Sequence, residues 1–209
     1  MKLSYVLEQT PDWFASAKPG QAFSYSNTNY VLLALLIEAL TGQSYRDHMV
    51  SAFFAPLGMR NTGTVQALGV SSVPLAEGYR NLGFGVSQIE EAHTASIDTE
   101  GDGGLYSNAE DLLVWQKAFW QGKIVSSQTI DLMSRPGQTD TGVTFDYGLG
   151  LQAERSDSDG RWIGHGGSWV SSTTFMGHYP DVGVSIVILA NETMAPVERM
   201  SQRALKTLI

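Results

Sequence analysis

The sequence predicts an α/β fold of the α+β type, with a helical lobe at about 23–140 beside a smaller lobe at about 141–209 that holds an antiparallel sheet. Segments with helix-capping signals fill the first part, two β-hairpins follow them, and one amphipathic segment closes the chain. Helices followed by a run of strands, rather than alternating with them, are typical of this class. A length of 209 residues suits a single domain, 1–209, built from two packed lobes.

The helix predicted at Tyr30–Leu40 is the most hydrophobic part of the first lobe, and Glu38 is its only charged residue. A helix that is apolar on nearly every face is expected to be buried on nearly every face. Gly42 should end it, because glycine readily adopts the left-handed backbone found at helix C-termini. Ser26 or Asn27 can cap the first N–H groups, which fixes the backbone just before the helix.

Capping signals also predict the other helices of this lobe. The predicted starts and ends are Ser44 to about Ala55, Ser107 to near Gly122, and Ser126 or Ser127 to Pro136. Residues 59–100 contain many Gly, Ser and Thr residues and show no steady period. We therefore expect a long surface loop there, of the kind that is functional or lines a cleft.

Two hairpins are predicted in the second lobe. Their strands are Tyr147–Ala153 with Arg161–Gly164, and Ser171–Tyr179 with Val184–Asn191. The run Val184–Leu189 suits a strand that is buried on both faces. Pro196 fits the first turn of a last helix, and one apolar stripe of that helix could lie on the sheet.

The composition argues against several classes of protein. A net charge of −8 disfavours binding to nucleic acid or to an anionic membrane surface. No apolar run reaches the roughly 20 residues that span a bilayer, and the first residues are too short in their apolar part for a signal peptide. Because the chain has no cysteine, it has no disulfide, zinc-thiolate site or thiol nucleophile. The cellular compartment stays open.

Tyr25 and Asn27 form the first candidate site, just before the apolar helix. A tyrosine can act as a general base where neighbouring cations or donors favour the phenolate. The carboxamide of Asn27 both donates and accepts hydrogen bonds, which suits a substrate amide. The alternative interpretation is an ordinary helix cap beside a packed tyrosine.

The second candidate site is His165-Gly166-Gly167-Ser168, which the sequence places between the two hairpins. Glycines allow a substrate backbone to come close to a strand. His165 could hydrogen-bond to a reacting oxygen, and the backbone N–H of Ser168 could serve as an oxyanion donor. The alternative is a glycine-rich connection with an incidental histidine. A further stretch, Asp102–Leu105, suits either a site or a loop that needs positive φ.

Other kinds of site find less support. The elbow Gly-x-Ser-x-Gly of a Ser-His-Asp hydrolase is absent, since Gly85–Ile89 and Gly166–Val170 both lack the last glycine. The histidines are scattered and no His-Glu-x-x-His occurs, so no metal site is predicted. Asp157–Gly160 begins like a calcium loop without the required glutamate, which indicates a hairpin turn. No cofactor is predicted.

Three motifs follow one another in a fixed order: Tyr25-Ser26-Asn27 ahead of an apolar helix, Gly103–Ser107 ahead of a capped helix, and His165–Ser168 ahead of the final hairpin. With the phrases Pro19–Asn27 and Pro56–Met59, they resemble the penicillin-recognising serine hydrolases. That family includes class C β-lactamases, serine DD-peptidases, D-aminopeptidases and β-lactamase-like esterases. The resemblance covers essentially the whole chain and implies a β-lactamase/DD-peptidase-like fold.

The resemblance implies a role for each matching residue. Tyr25 matches the tyrosine that acts as, or shares, the general base, and Asn27 matches the asparagine that contacts the substrate amide and the catalytic lysine. His165, Gly166 and Gly167 match the third motif, which is Lys-Thr-Gly in β-lactamases and often His-x-Gly in peptidases and esterases. The histidine makes an efficient β-lactamase less expected. Ser168 matches the residue whose N–H completes the oxyanion hole.

The nucleophile of the family, the serine of Ser-x-x-Lys, has no match in this sequence. The residues found three positions before a lysine are Ala15, Val114, Trp120 and Arg203. In the family this motif heads a buried helix upstream of the tyrosine, and the first strands of the sheet precede it. We therefore expect the chain to correspond to the C-terminal two-thirds of such an enzyme, with an incomplete version of the fold.

Two functional hypotheses follow. The first is a serine hydrolase for an ester, a D-amino-acid peptide or a β-lactam, inactive alone unless Ser24, Ser26 or Ser168 substitutes as nucleophile. The second is a catalytically silent, truncated homologue that binds a ligand or a partner. In both, the apolar faces of Tyr30–Leu40 and Val184–Leu189 lack the partners that the family supplies. Self-association or a complementary fragment is therefore expected to cover them.

Overall fold

The computed structural model of the chain describes residues 18–65, 75–83, 86–90, 100–156, 160–169 and 171–209. Helices and sheets are mixed in these residues, and every ladder between two strands of a sheet is antiparallel. The predicted fold class is therefore confirmed. The turn predicted at Asp157–Gly160 lies outside the described residues, except for Gly160 itself.

The described residues form six α-helices and ten strands. The helices are α1 Asn27–Thr41, α2 Tyr45–Met49, α3 Ala55–Leu57, α4 Ala109–Trp120, α5 Ser127–Met133 and α6 Val197–Leu208, with a π-helical turn at Val50–Phe54 between α2 and α3. The strands are β1 Gly63–Thr64, β2 Gly78–Gly83, β3 Val86–Glu90, β4 Leu105–Tyr106, β5 Gly137–Gln138, β6 Thr144–Phe145, β7 Gln152–Ser156, β8 Gly160–Trp169, β9 Ser172–Tyr179 and β10 Val184–Ala190.

Contacts between Cα atoms divide the chain into two compact units. The first comprises the described residues of Met1–Ser71, Ile97–Tyr106 and Gly137–Phe145, and the second comprises those of Ser72–Ser96, Ser107–Pro136 and Asp146–Ile209. Helices α4 and α5 thus group with the four-stranded sheet, whereas the sequence grouped them with the helices before residue 140. Packing explains the difference, because α4 lies against β10. The single domain over 1–209 stays a prediction.

The ends of α1 follow local signals. Ser26 is the N-cap residue, although its side chain makes no capping hydrogen bond. At the other end Gly42 adopts a φ of 70°, and its N–H donates to the carbonyl of Glu38 at 2.9 Å. A left-handed glycine that returns a hydrogen bond to the last turn is a common helix stop. The predicted stop at Gly42 is therefore present.

The burial of α1 differs from the prediction. Of its residues, Ala34 and Leu35 are buried. Leu33, Leu36 and Leu40 are 50%, 41% and 78% exposed. Burial on nearly every face was wrong for this structure, because the described elements of the first unit cover only one side of the helix. We call Leu33, Leu36 and Leu40 the exposed face of α1.

Short-range caps are close to those predicted. The side chain of Ser44 accepts a hydrogen bond from the N–H of Asp47 at 3.0 Å and begins α2. The cap of α4 is Asn108 rather than Ser107, since Asn108 Oδ1 accepts from the N–H of Asp111 at 2.9 Å. Two neighbouring residues with similar capping preference cannot be ranked from sequence alone.

The four-stranded sheet of the second unit has the order β10-β9-β8-β7. Gly164 of β8 lies opposite Gly177 of β9. A Cβ atom on Gly164 would lie 2.0 Å from the carbonyl oxygen of Met176 and 2.8 Å from Cα of Gly177. The two strands can therefore approach each other at this point only while residue 164 is glycine.

Helix α6 covers this sheet, as predicted. A buried apolar cluster joins the sheet to the helix, and its members are Trp162, Phe175, Tyr179, Ile186, Val197 and Leu205. The hydroxyl of Tyr179 lies 3.0 Å from Oγ of Ser201, so the polar end of a buried ring is also satisfied. Burial of these side chains stabilises the helix on the sheet, since each large apolar side chain contributes about 2 kcal/mol.

Several predicted strand features were wrong. The segment 59–100 contains the β2–β3 hairpin. The sequence did not predict this hairpin, because its strands are polar and glycine-rich and show no regular alternation. β7 begins at Gln152 rather than Tyr147, and β8 continues to Trp169, so the stretch around His165 lies within a strand and not between hairpins. In β10 only Ile186 is buried, so the predicted burial on both faces was wrong, although α4 and α6 both contact this strand.

Helix α4 contacts the sheet through an aromatic stack. The ring of Trp120, the last residue of α4, lies on the ring of His178 with centroids 4.3 Å apart and an interplanar angle of 20°. His178 Nδ1 lies 2.9 Å from the hydroxyl oxygen of Ser185 on β10. Burial lowers the pKa of His178 below its usual value of 6.5, because the charged imidazolium loses solvation there. The folded protein therefore favours the neutral ring.

This depressed pKa predicts acid sensitivity. His178 takes up its proton at a lower pH in the native state than in the unfolded state. Its contribution to the free energy of unfolding is therefore fully present above pH 6.5. This contribution is lost as the pH falls toward the native pKa. We expect urea denaturation between pH 7.5 and pH 5 to show this loss in the wild type. The same loss should be smaller in His178→Gln. Parallel pH profiles for the two proteins would contradict the assignment.

Candidate functional site

Tyr25 and Asn27 lie at the start of α1, in the first unit. Tyr25 is 54% exposed and belongs to the extended segment before the helix, and Asn27 is the exposed first residue of the helix. The Asn27 carboxamide makes no hydrogen bond to another described residue, so it is available to a ligand. The segment before Tyr25 is anchored by Phe23, whose ring stacks on Phe145 of β6 with centroids 4.7 Å apart.

His165 lies on β8 in the second unit and is held at both ring nitrogens. Nε2 lies 3.0 Å from the hydroxyl oxygen of Tyr147, and the two rings meet edge to face with centroids 5.7 Å apart. Nδ1 contacts the carbonyl oxygen of Gly166. A carbonyl oxygen can only accept, so in the neutral ring Nδ1 carries the proton and Nε2 accepts from the Tyr147 hydroxyl. The imidazole is thereby oriented before any substrate arrives.

The strand around His165 has an open edge. The ladder of β8 with β7 ends at the pair Gly164 and Gln152, whereas the ladder with β9 continues to the pair Trp169 and Ser172. On the β7 side, therefore, no described strand pairs with His165–Trp169. The N–H of Gly166 donates to Oε1 of Gln152 at 3.2 Å across this gap. We call the β7 side of His165–Trp169 the open edge of β8.

The backbone of the open edge presents hydrogen-bond donors. N–H groups along an antiparallel strand alternate between its two edges. Because the N–H of Gly166 points toward Gln152 of β7, the N–H of Ser168 points to the same edge. A Cβ on Gly166 would meet nothing closer than 3.6 Å, whereas one on Gly167 would lie 2.6 Å from Oγ1 of Thr174. Gly167 and Ser168 are exposed, so an extended ligand can reach this backbone.

The sequence reasoning singled out neither Tyr147 nor Gln152. Both lie near the start of β7 and contact β8 across the sheet. The contact between Tyr147 and His165 joins residues 18 positions apart. No motif in the sequence predicts this contact, because it depends on how the strands pair in the folded sheet. A tyrosine just before a polar strand was the only signal available.

The structure brings His165, Tyr147 and the backbone of Gly166–Ser168 together within the second unit. Tyr25 and Asn27 belong to the first unit, where they lie two residues apart at the start of α1. Whether all of these residues serve one reaction stays a prediction.

The described part of the chain contains neither a cluster of metal-ligating side chains nor a membrane-spanning helix. Across the described ranges, no three or more His, Asp or Glu side chains come together in a way that could hold a metal ion. The helices found in the same ranges are all too short or too polar to cross a membrane.

Comparison with known families identifies the chain. A model of the family described as Beta-lactamase matches residues 3–209, which is nearly the whole sequence. The chain therefore belongs to the Beta-lactamase family.

Individual relatives agree with this assignment. The chain is 30% identical over 184 residues to penicillin-binding protein 4* of Bacillus subtilis (strain 168), covering 84% of this chain and 41% of the relative. It is 27% identical over 174 residues to a D-aminopeptidase of Brucella canis, covering 83% of this chain and 32% of the relative. An octameric penicillin-binding protein homologue from Pyrococcus abyssi has a similar structure, with a TM-score of 0.81 and 27% identity over 99% of this chain and 47% of that one.

The aligned share of this chain is much larger than the aligned share of each relative. These alignments use most of the present chain but less than half of each relative. The chain therefore spans about a third to a half of the length of these relatives.

The contact between Tyr147 and His165 predicts a loss of stability in Tyr147→Phe. The substitution removes the hydroxyl that hydrogen-bonds to Nε2 in a half-buried position, and the free energy of unfolding should fall by about 1 kcal/mol. Urea denaturation measures the change. The control is Tyr79→Phe, whose hydroxyl contacts Glu77 at the surface and whose removal should matter less. Equal effects of the two substitutions would contradict the described geometry.

Proposed function

We propose that this member of the Beta-lactamase family provides the substrate-orienting half of a serine-type acyl-transfer site for D-amino-acid amides or peptides. The open edge of β8 supports this best, since an extended amide or peptide could pair with it beside the oriented ring of His165. The names of two relatives, penicillin-binding protein and D-aminopeptidase, favour that substrate class.

Each candidate site residue then has a specific role in the acyl-transfer reaction. The scissile carbonyl oxygen takes up negative charge as the nucleophile attacks, and the outward N–H of Ser168 stabilises that charge. His165 and the carboxamide of Asn27 orient the substrate amide. Tyr25 accepts the proton of the attacking hydroxyl and returns it to the leaving amine. Gly166 and Gly167 let the substrate backbone approach the strand.

The attacking hydroxyl is assigned to a Ser-x-x-Lys segment outside the 209 residues, because none of the five lysines follows a serine by three positions. The serine oxygen forms a bond to the acyl carbon as the carbon–nitrogen bond breaks, and water later releases the acid. This segment would be joined upstream or supplied by a second polypeptide. The alignments cover only 41% and 32% of the two relatives, which supports such a division.

Covalent labelling and turnover test this assignment. The 209-residue chain should neither be labelled by a fluorescent penicillin nor release p-nitroaniline from D-alanine p-nitroanilide. A longer chain that includes the preceding genomic sequence with its Ser-x-x-Lys should do at least one of these. In that longer protein, Tyr25→Phe should lower kcat by roughly 10²-fold or more, and Tyr79→Phe should leave it unchanged.

Activity of the short chain would overturn the assignment of the nucleophile. Alanine substitutions of Ser24, Ser26 and Ser168 would then locate the substitute. An inactive longer chain, or a Tyr25→Phe protein with full kcat, would overturn the proposed function itself.

The second candidate is a catalytically silent homologue that binds acyl ligands without cleaving them. The absence of Ser-x-x-Lys from the sequence favours it. Reversible binding of the D-amino-acid amide to the short chain, with no turnover by the longer one, would select this alternative.

We also propose that the chain associates with itself or with the complementary segment. The exposed face of α1 carries three leucines, and β10 offers a second strand edge to which no described strand is paired. Apolar patches and open strand edges favour association. The penicillin-binding protein homologue from Pyrococcus abyssi, which has a similar fold, is octameric.

Light scattering at micromolar concentration tests the association. The wild type should have a mass above that of a monomer, and Leu36→Glu should reduce it, because the new charge disrupts the exposed face of α1. The matched control is Leu132→Glu, a substitution of an exposed leucine on α5, which should leave the mass unchanged. A clean wild-type monomer would contradict the proposal.

A further inference from the structure

The second unit contains a cavity that the acyl-transfer proposal does not use. It lies among the end of α4, the helix α5, the first half of β8 and the turn that follows β9, and its volume is about 510 Å³. Ligand sites for small molecules usually have volumes of about 300–1,000 Å³. On β8 it is lined by Arg161 and Ile163 but not by His165.

An aromatic side chain with a fixed orientation forms part of the wall. Trp120 lines the cavity and stacks on His178 at 4.3 Å. Its indole N–H donates to Oε1 of the buried Gln116 at 2.6 Å. The ring is therefore held by a stack and a hydrogen bond, and it needs little reordering when an apolar group binds beside it. Ile130 and Pro136 extend the apolar wall.

Two guanidinium groups line the same cavity. Arg161 is half-buried, and its Nη2 donates to the carbonyl of Ser134 at the end of α5 at 3.1 Å. This bond uses one of the five donors of the side chain. Arg135 is exposed and also lines the cavity. Neither arginine has a carboxylate within 4.0 Å among the described residues, although the chain carries a net charge of −8.

The charge balance limits the kind of anion that would fit. Asp131 is the acidic residue in the lining, so the wall carries two positive charges and one negative charge. One net positive charge suits a monoanion better than a phosphate with two charges. The planar fork of arginine matches the planar carboxylate group and can bind it through two hydrogen bonds.

We propose that this cavity is a second ligand site, which binds a small aromatic carboxylate. The ring packs against Trp120, and the carboxylate accepts hydrogen bonds from Arg161 and Arg135. This inference does not depend on the acyl-transfer function, because it uses only residues of the second unit that lie away from the open edge of β8.

Titration with phenylacetate, followed by calorimetry and ligand-observed NMR, tests the site in the 209-residue chain. Saturable binding is expected, and the neutral isostere phenylacetamide should bind at least about tenfold more weakly, since it lacks the charge. Arg161→Gln should weaken phenylacetate binding by a similar factor, whereas Arg161→Lys should retain part of it.

Two further variants separate the site from a folding defect and from the acyl site. Arg135→Gln removes a cation that the described residues do not use in a hydrogen bond or ion pair, and it should also weaken binding. The control Arg199→Gln, on the exposed side of α6, should bind like the wild type. His165→Asn should also bind like the wild type.

Three results would overturn the inference. They are the absence of saturable phenylacetate binding, equal affinity of the wild type and both glutamine variants at 135 and 161, and loss of binding in His165→Asn alone. The last result would place phenylacetate at the open edge of β8 and leave the acyl-transfer proposal intact.

Discussion

The register between β8 and β9 is the constraint on which both sites of the second unit depend. Gly164 of β8 lies opposite Gly177 of β9, and a Cβ on Gly164 would collide with the backbone of β9, so this close alignment requires glycine at position 164. That alignment decides which face of the sheet each side chain of β8 occupies and which N–H groups reach the open edge. A shift by one residue would move His165 to the other face of the sheet and turn the N–H of Ser168 toward β9.

Unequal strand length produces the open edge. β7 has five residues and β8 has ten, so the second half of β8 continues past β7, and no described strand pairs with it on that side. Gln152, the first residue of the shorter strand, and Tyr147, five residues before it, contact the first residues of this unpaired half. Backbone donors thus remain accessible beside a histidine whose ring is already oriented. Such preorganisation reduces the cost of ordering a site when a ligand binds.

Local signals in the sequence were reliable guides to the helices. Gly42 ends α1 and Ser44 begins α2 because a cap depends on neighbouring backbone groups that the sequence itself specifies. The burial of α1 was not predictable, because the exposure of Leu36 depends on which elements cover the helix. Periodicity identifies an apolar face but does not say what lies against it.

Features that depend on strand pairing were harder to predict. The histidine motif was recognisable, yet its position inside β8 required the partner strand β9. The same holds for the contact between Tyr147 and His165 and for the β2–β3 hairpin. The cavity beside Trp120 has no sequence signal at all, because its lining comes from α4, α5 and β8, which lie far apart in the sequence.

Arg161 and His165 are both odd-numbered positions of one regular strand, so they lie on the same face of the sheet. They lie four positions apart, and a strand rises about 3.3 Å per residue, which gives a distance along the strand of about 13 Å. A single bivalent molecule with an aromatic acid at one end and a peptide at the other could bridge that length. The tether would then raise the effective concentration of the second end near its site, and two weakly binding groups would act as one tightly binding ligand.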